Sequence, residues 1–398
     1  MAGYCENGSW QSGVSTWLNE ELPGIRIIEE LFERTPAYYT SEFQKAPQVV
    51  YGSWLAGIPI TGILLGQSPG GQSEPLPDGG QGAAWYCNSF VPTSRYLLSV
   101  DSHKEGFEKT MRHVLSIRSS ELKKVPGVVR AFTHEYMLIR DHAKPIVGSS
   151  YADTHYEDIS FDCLPEDVIK ANIEGLKKAI TILADHPDAN LISYTDYLEG
   201  QYYPGHGQWL TMQEMDRVAQ KLTDAIDAVS LEEGSVSPAE AAGLLARVLP
   251  NRRETKTWPE QIAVRSLIGP TEECSGILPA CSIQTESLLD GLKGIDRAMD
   301  DDGFIPAEID VGGRILGPGQ WLQCLARLYV RLRAGEKTSP EIECPADSMP
   351  KIADDPFFRQ TVFTRPIYPR GFTGERICRL CRLQSWSWKP AIPHSAEH

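Results

Sequence analysis

The sequence predicts an α/β fold, in which a partial parallel β/α barrel over residues 1–205 is followed by a mainly α-helical repeat domain over 206–398. Two observations lead to this prediction. The N-terminal half alternates between helical and extended patterns with short links, which is typical of parallel β/α units. The C-terminal half repeats a short helical phrase, and internal similarity of this kind indicates a domain with duplicated parts.

The clearest helix of the N-terminal half runs from Pro165 to about Ala184, where apolar residues recur at four- and three-residue steps and form one stripe. Pro165 suits the first helical position, and the two acidic residues after it favour the positive end of the helix. The other predicted elements are helices over 25–32, 47–57 and 104–115 and strands over 37–40, 59–65, 85–90, 128–133 and 190–194.

The repeated phrase of the C-terminal half occurs at 244–248, 324–328 and 379–383. An alignment of the first two stretches also pairs Pro238 with Pro318. A second similarity, P-x-x-I-x-V, links the extended pieces 259–264 and 306–311. The spacing is irregular, which favours a small helical domain over a regular solenoid. The predicted helices cover 211–229, 238–249, 284–299, 318–333 and 373–384.

Composition narrows the classes of function. The formal net charge of −15 argues against a nucleic-acid partner, because such partners are bound chiefly through Lys and Arg. No apolar run is long enough to predict a membrane span. The first residues lack the basic and apolar regions of a signal peptide, so we expect a cytoplasmic protein if Met1 is the natural start.

The nine cysteines are too few to predict a disulfide scaffold, and only Cys378 and Cys381 form a C-x-x-C motif. A zinc site would need a second pair of ligands, and none follows in the sequence. The repeat aligns Cys381 with Ala246 and Ala326. We therefore expect a small buried helix position there, in preference to a metal ligand.

The richest polar group begins with His134 and Glu135, which follow directly on the predicted strand 128–133. Ligands of parallel β/α folds gather at the carboxyl ends of strands. A histidine beside a carboxylate can exchange a proton near neutral pH or bind a metal, and Asp141 lies near in sequence. The alternative is that these residues belong to a polar surface loop.

Three further residues are candidate substrate contacts. His206 lies between two glycines, which allow the backbone to approach a ligand closely, although Pro-Gly is also routine in an interdomain turn. Trp85 and Tyr203 belong to an aromatic set that suits stacking on sugar rings, whereas aromatic residues are more often part of a core. The sequence contains no specific metal motif, so a divalent metal is possible without an assigned ligand.

The phrase Phe132-Thr-His-Glu135 resembles the late strand of polysaccharide-deacetylase-like domains that carries their second catalytic histidine, and residues 192–195 resemble the closing strand. The resemblance spans roughly residues 20–200. It implies an incomplete β/α barrel that uses a bound metal to remove acetyl groups from amino sugars. His134 would then act as acid or base, Glu135 or Asp141 would orient it, and His206 would contact the substrate.

The sequence departs from that family in its metal site. It has neither the aspartate pair of the early strand nor the two histidines one helical turn apart. The C-terminal phrases resemble cell-wall-binding repeats that accompany glycan-processing domains. We therefore expect a carbohydrate-active, deacetylase-like protein, with a non-catalytic glycan- or protein-binding module as the alternative.

Overall fold

A computed structural model of the chain describes residues 9–20, 22–32, 38–40, 46–62, 83–91, 94–99, 108–109, 111–112, 115, 128–132, 163–187, 193–275, 279–336, 339–359 and 374–394. The helices of the N-terminal half are α1 (Trp10–Glu20), α2 (Leu22–Phe32), α3 (Pro47–Leu55), α4 (Glu166–Ala184) and α5 (Tyr194–Gln201). Its strands are β1 (Tyr38–Thr40), β2 (Ile60–Gly62), β3 (Ala84–Tyr86), β4 (Ser89–Val91), β5 (Ser94–Ser99) and β6 (Val128–Phe132).

Strands of the N-terminal half pair in two sheets. One sheet has the order β1-β2-β4-β3-β15, where β15 (Lys389–Pro390) comes from the C-terminal end. Its pairs β1/β2 and β2/β4 are parallel, and β5 pairs in parallel with β6 in a second sheet. Parallel pairs agree with the α/β character expected from the sequence, while the partial barrel itself stays a prediction.

Two extended predictions need correction. The stretch 85–90 is a hairpin of β3 and β4, because Cys87 and Asn88 both adopt positive φ and form a two-residue turn between them. The strand predicted over 190–194 is wrong at its described end, where helix α5 begins at Tyr194. Ser193 caps this helix by accepting a hydrogen bond from the backbone N–H of Asp196 at 3.0 Å.

The C-terminal half contains two copies of one unit, strand–helix–hairpin–helix–strand. The first copy consists of β7 (Trp209–Thr211), α6 (Met212–Asp224), β8 (Val229–Ser230), β9 (Ser235–Val236), α7 (Pro238–Thr255) and β10 (Gln261–Ala263). The second copy consists of β11 (Cys281–Gln284), α8 (Thr285–Asp302), β12 (Ile309–Val311), β13 (Arg314–Leu316), α9 (Pro318–Arg333) and β14 (Glu341–Cys344). In each copy, the first and last strands pair antiparallel.

The two copies exchange helix partners. Helix α6 of the first copy packs on α9 of the second, α8 packs on α7, and the two second helices α7 and α9 also contact each other. All four helices contribute to one hydrophobic core. Each unit therefore buries its apolar helix face against the other copy, which explains why the phrase occurs twice.

The helices predicted for this half are confirmed, except that the one predicted over 211–229 ends at Asp224 and strand β8 begins at Val229. The second similarity is not part of the repeat. The stretch 259–264 contains the last strand of the first copy, whereas 306–311 contains the first strand of the second hairpin. The third phrase, at 379–383, lies in α11 (Glu375–Leu383), outside both copies. Cys381 is buried there, as Ala246 and Ala326 are in α7 and α9, which confirms the predicted small position.

A second core joins the two ends of the chain. Helices α1 and α3 and the β3–β4 hairpin pack with α11, Trp388 and the short helix α10 (Pro356–Arg359). Contacts thus cross the predicted boundary at residue 205, and the division into two domains stays a prediction. Within the described ranges, no helix is both long enough and apolar enough to span a bilayer.

Candidate functional site

The three predicted catalytic residues, His134, Glu135 and Asp141, lie outside the described residues, so their roles stay predictions. The strand that leads to them is present. β6 runs from Val128 to Phe132 and pairs in parallel with β5. Phe132 therefore lies at the carboxyl end of a parallel pair, which is the position that the sequence argument required.

Trp85 and His206, two of the predicted substrate contacts, lie together, with ring centroids 5.0 Å apart. Trp85 is 5% exposed, and a Cβ on Gly205 would lie 2.3 Å from atoms of its ring. The close approach of Gly205 therefore serves packing against the indole. The substrate-binding roles of both residues stay predictions, since Trp85 exposes little surface here.

Both ring nitrogens of His206 have partners. Because the carbonyl oxygen of Asn88 can only accept, Nε2 donates to it at 2.7 Å, and Nδ1 then accepts from Oγ of Ser266 at 2.9 Å. Burial, and after it the charge of Lys389, lower the pKa of His206 to about 4. A neutral imidazole thus links the β3–β4 hairpin to the segment after β10.

A buried ion pair lies beside this histidine. Nζ of Lys389 is 2.6 Å from Oε1 and 2.8 Å from Oε2 of Glu240, and both side chains are 2% exposed. The ammonium also donates to the carbonyl oxygen of Gly205 at 2.6 Å. Burial raises the pKa of Glu240, and the adjacent ammonium acts against this rise. The pair fixes the C-terminal strand on the first turn of α7.

Tyr203, the third predicted substrate contact, is half-buried and contacts the C-terminal segment. Its backbone N–H donates to the carbonyl oxygen of Ile392 at 2.9 Å, and its ring centroid is 4.6 Å from that of His394. The predicted sugar-stacking role of this ring stays a prediction.

A cavity that sequence reasoning did not identify lies between the first copy and the C-terminal segment. Its volume is about 390 Å³. The last turn of α6, the link to β8, the 3₁₀ helix Lys351–Asp354 and the approach to β15 surround it. Its polar and aromatic lining consists of Lys221, Asp227, Ser230, Lys351, Asp355 and Trp388.

Three of the charged side chains that line the cavity are held by hydrogen bonds to the backbone. Nζ of Lys221 donates to the carbonyl oxygen of Ala228 at 2.9 Å. Oδ1 of Asp227 accepts from the N–H of Ala228 at 2.9 Å, and Oδ1 of Asp355 accepts from the N–H of Phe357 at 2.8 Å. Each carboxylate therefore keeps its second oxygen for a ligand, and these three side chains are held in place before a ligand binds.

The part of the chain that the structure describes contains no group of three or more His, Cys, Asp or Glu side chains arranged to hold a metal ion. A divalent metal therefore stays an expectation tied to the deacetylase resemblance. Comparison with known protein families, curated proteins and solved structures found no match to this chain.

Proposed function

We propose that this chain is a carbohydrate-active protein whose C-terminal half binds a glycan without processing it. The observation that supports this proposal most is the mixed lining of the cavity. A sugar hydroxyl both donates and accepts hydrogen bonds, so a site that combines carboxylate acceptors with ammonium donors suits it. Asp227, Asp355, Lys221 and Lys351 provide both kinds in one cavity.

The size of the cavity agrees with a small ligand. Ligand pockets in proteins have volumes of roughly 300 to 1,000 Å³. At about 390 Å³ the cavity lies at the lower end of this range, which suits one or two sugar rings.

Trp209 supplies a second feature that suits a glycan. It is 63% exposed, and it lies on β7, which the pairing with β10 holds in place. An exposed indole on a fixed strand offers its face to the C–H side of a sugar ring. The corresponding position of the second copy is Ser282, so this feature belongs to the first copy alone.

Titration calorimetry with a panel of soluble oligosaccharides, neutral and N-acetylated, tests the proposal. We expect Asp227→Asn and Lys351→Met to weaken the affinity at least about tenfold, because each removes a charged hydrogen-bond group. Lys170→Met is the matched control, since Lys170 is exposed on α4. If no oligosaccharide binds, or if the control weakens binding as much, the proposal is wrong.

Deacetylation is the second proposal, and the parallel pairing of β6 with β5 favours it. His134 would act as acid or base and Glu135 or Asp141 would orient it, at the carboxyl end of the strand. The test is acetate release from N-acetylated glycans, with and without added divalent metal. Activity that is unchanged in His134→Ala would exclude the assignment.

A further inference from the structure

Two cysteines face each other in the second copy. Cys281 of β11 and Cys344 of β14 are directly opposite in the antiparallel register, at the end of the strand pair that opens and closes this copy. Opposite residues of antiparallel strands have Cα atoms about 4.5 to 5.5 Å apart. Disulfides span Cα distances of about 4.4 to 6.8 Å, so the Cα separation of this pair suits a bridge. The Cβ atoms of opposite residues are about 4.5 to 5.5 Å apart and must approach to about 3.5 to 4.5 Å, so closure requires a small local shift.

The two thiols differ in access. Cys344 is 2% exposed, whereas Cys281 is half-buried at the edge of the core. A third thiol, Cys324 of α9, is fully buried, and its Sγ lies 3.9 Å from the carbonyl oxygen of Glu343. Of these three cysteines, Cys281 is therefore the one that a reagent in solution reaches first.

The first copy has no counterpart of this pair. Its β7–β10 ladder extends at the same level to Gln208 and Val264, where the N–H of Val264 donates to the carbonyl oxygen of Gln208 at 2.8 Å. The strand ends of the first copy are held by this hydrogen bond and by the neighbouring His206. Those of the second copy carry thiols instead.

We propose that Cys281 and Cys344 form a reversible disulfide that clamps the first and last strands of the second copy. A low-molecular-weight disulfide such as oxidised glutathione is the oxidant. The thiolate of Cys281 attacks one glutathione sulfur, releases reduced glutathione and forms a mixed disulfide. Cys344 then loses its proton and attacks Sγ of Cys281, which releases the second glutathione and forms the protein disulfide.

The groups around the two thiols determine how fast the disulfide forms, because they set the fraction of thiolate. Burial and the neighbouring Cys344 raise the pKa of the Cys281 thiol, while the guanidinium of Arg314 acts in the opposite direction. The pKa of Cys344 is raised as well, by its contact with Cys324 and by burial. Arg314 is held close by, because it donates to the carbonyl oxygen of Ser282 at 2.8 Å. We therefore expect formation that is slow at neutral pH and faster as the pH rises.

Mass spectrometry on the full chain, after equilibration in glutathione buffers and digestion without reduction, tests the proposal. Trypsin leaves Cys344 as the single cysteine of peptide 338–351, Cys324 in 315–327, and Cys281 with Cys274 in 266–293. We expect peptides 338–351 and 266–293 to be linked. The linked peptides should persist in Cys274→Ser and disappear in Cys281→Ser. In the wild-type chain, formation of the disulfide should raise Tm by at least about 5 °C.

Cys163 is exposed and serves as an internal control that should carry glutathione alone. A bridge between Cys324 and Cys344 would overturn the proposal. So would glutathione that remains on Cys281, or Cys281 and Cys344 that both stay reduced while Cys163 is modified. A link without any increase in Tm would show that the disulfide does not clamp the strands.

Discussion

Glu240 in the first copy and Gln320 in the second occupy the same position, three residues into α7 and α9, and both are buried. Glu240 pairs with Lys389 of the C-terminal strand. The amide of Gln320 instead donates to the carbonyl oxygens of Pro279 and Pro345, which flank its own copy, at 3.0 and 2.8 Å. The same site thus connects the first copy to the chain end and the second copy to itself.

The helix starts differ in the same sense. Ser237 caps α7 through its hydroxyl, which accepts from the N–H of Glu240 at 3.2 Å. Gly317 has no side chain at that position, and Asp347 takes over by accepting from the N–H of Gln320 at 3.2 Å. Glycine leaves room for this contact, because a Cβ would lie 2.4 Å from the carboxylate of Asp347 and displace it. A cap that is local in one copy is thus supplied by a distant residue in the other.

The largest expected effect comes from breaking the ion pair. Lys389→Met leaves the buried carboxylate of Glu240 without its cation and should lower the free energy of unfolding by about 3 to 5 kcal/mol. Gln320→Met, its match in the second copy, loses neutral hydrogen bonds and should cost about 1 to 3 kcal/mol. Denaturant unfolding measures both. Equal losses of unfolding free energy in the two variants would contradict the proposed difference. The double variant Glu240→Gln with Lys389→Met should recover stability, because no buried charge remains unpaired.

Acid should destabilise mainly the first copy, because His206 precedes its first strand, β7. The corresponding residue of the second copy is Pro279, which does not titrate. The pKa of His206 is lowered from 6.5 to about 4, so the unfolded state binds its proton first. The stabilisation is complete above pH 6.5 and is lost as the pH falls to 4, by about 3 kcal/mol in all. Denaturant unfolding at several pH values measures how steeply the free energy of unfolding falls as the pH is lowered. The fall should be smaller in His206→Gln. An unchanged slope would mean that other groups cause the loss.

A smaller effect is expected from the ion pairs between copies. Arg333 of α9 contacts both carboxylate oxygens of Asp216 on α6 at 2.7 Å, and its guanidinium lies 5.3 Å from the ring centroid of Trp258. Arg253, at the equivalent position of α7, pairs with Asp290 at 2.6 Å and Glu286 at 2.5 Å on α8. Both of these carboxylates are more exposed than that of Asp216. Arg333→Met should cost about 1 kcal/mol, because the pair is partly exposed. Arg253→Met should lower stability by less than Arg333→Met does. Thermal unfolding of the two variants measures their order, and the reverse order would contradict this difference between the copies.

The smallest effect on stability is expected at Trp209. Trp209→Ser copies Ser282 of the second copy and should change the free energy of unfolding by no more than about 0.5 kcal/mol, because the indole is exposed. Glycan affinity, measured by calorimetry, should fall nevertheless. An unchanged glycan affinity in this variant would mean that the glycan contacts the cavity and not Trp209.

Local patterns explain which elements could be predicted. Helix α4 and the four helices of the two copies could be predicted because apolar periodicity acts within one or two turns. A proline at the first position adds a second local signal in α7 and α9. The strand predicted over 190–194 failed for a local reason as well, since Ser193 and Asp196 form a helix cap whose signal the apolar pattern concealed. The hairpin at Cys87 and Asn88 was missed because neither residue is glycine.

Of the candidate site, the sequence indicated Trp85 and His206 as residues to follow, but not that they would lie against each other. The cavity was not predictable at all. Lys221, Lys351 and Trp388 lie on segments far apart in the chain, and no short motif links them.

By itself, the sequence determined that the C-terminal half carries a duplicated helical phrase and that Cys381 fills a small buried position, since both depend on residue size and spacing. Only the tertiary structure decided that the copies exchange helix partners, that Glu240 meets Lys389, and that the C-terminal strand closes one side of the cavity. These depend on contacts between residues far apart in the chain, and such contacts leave no period in the sequence.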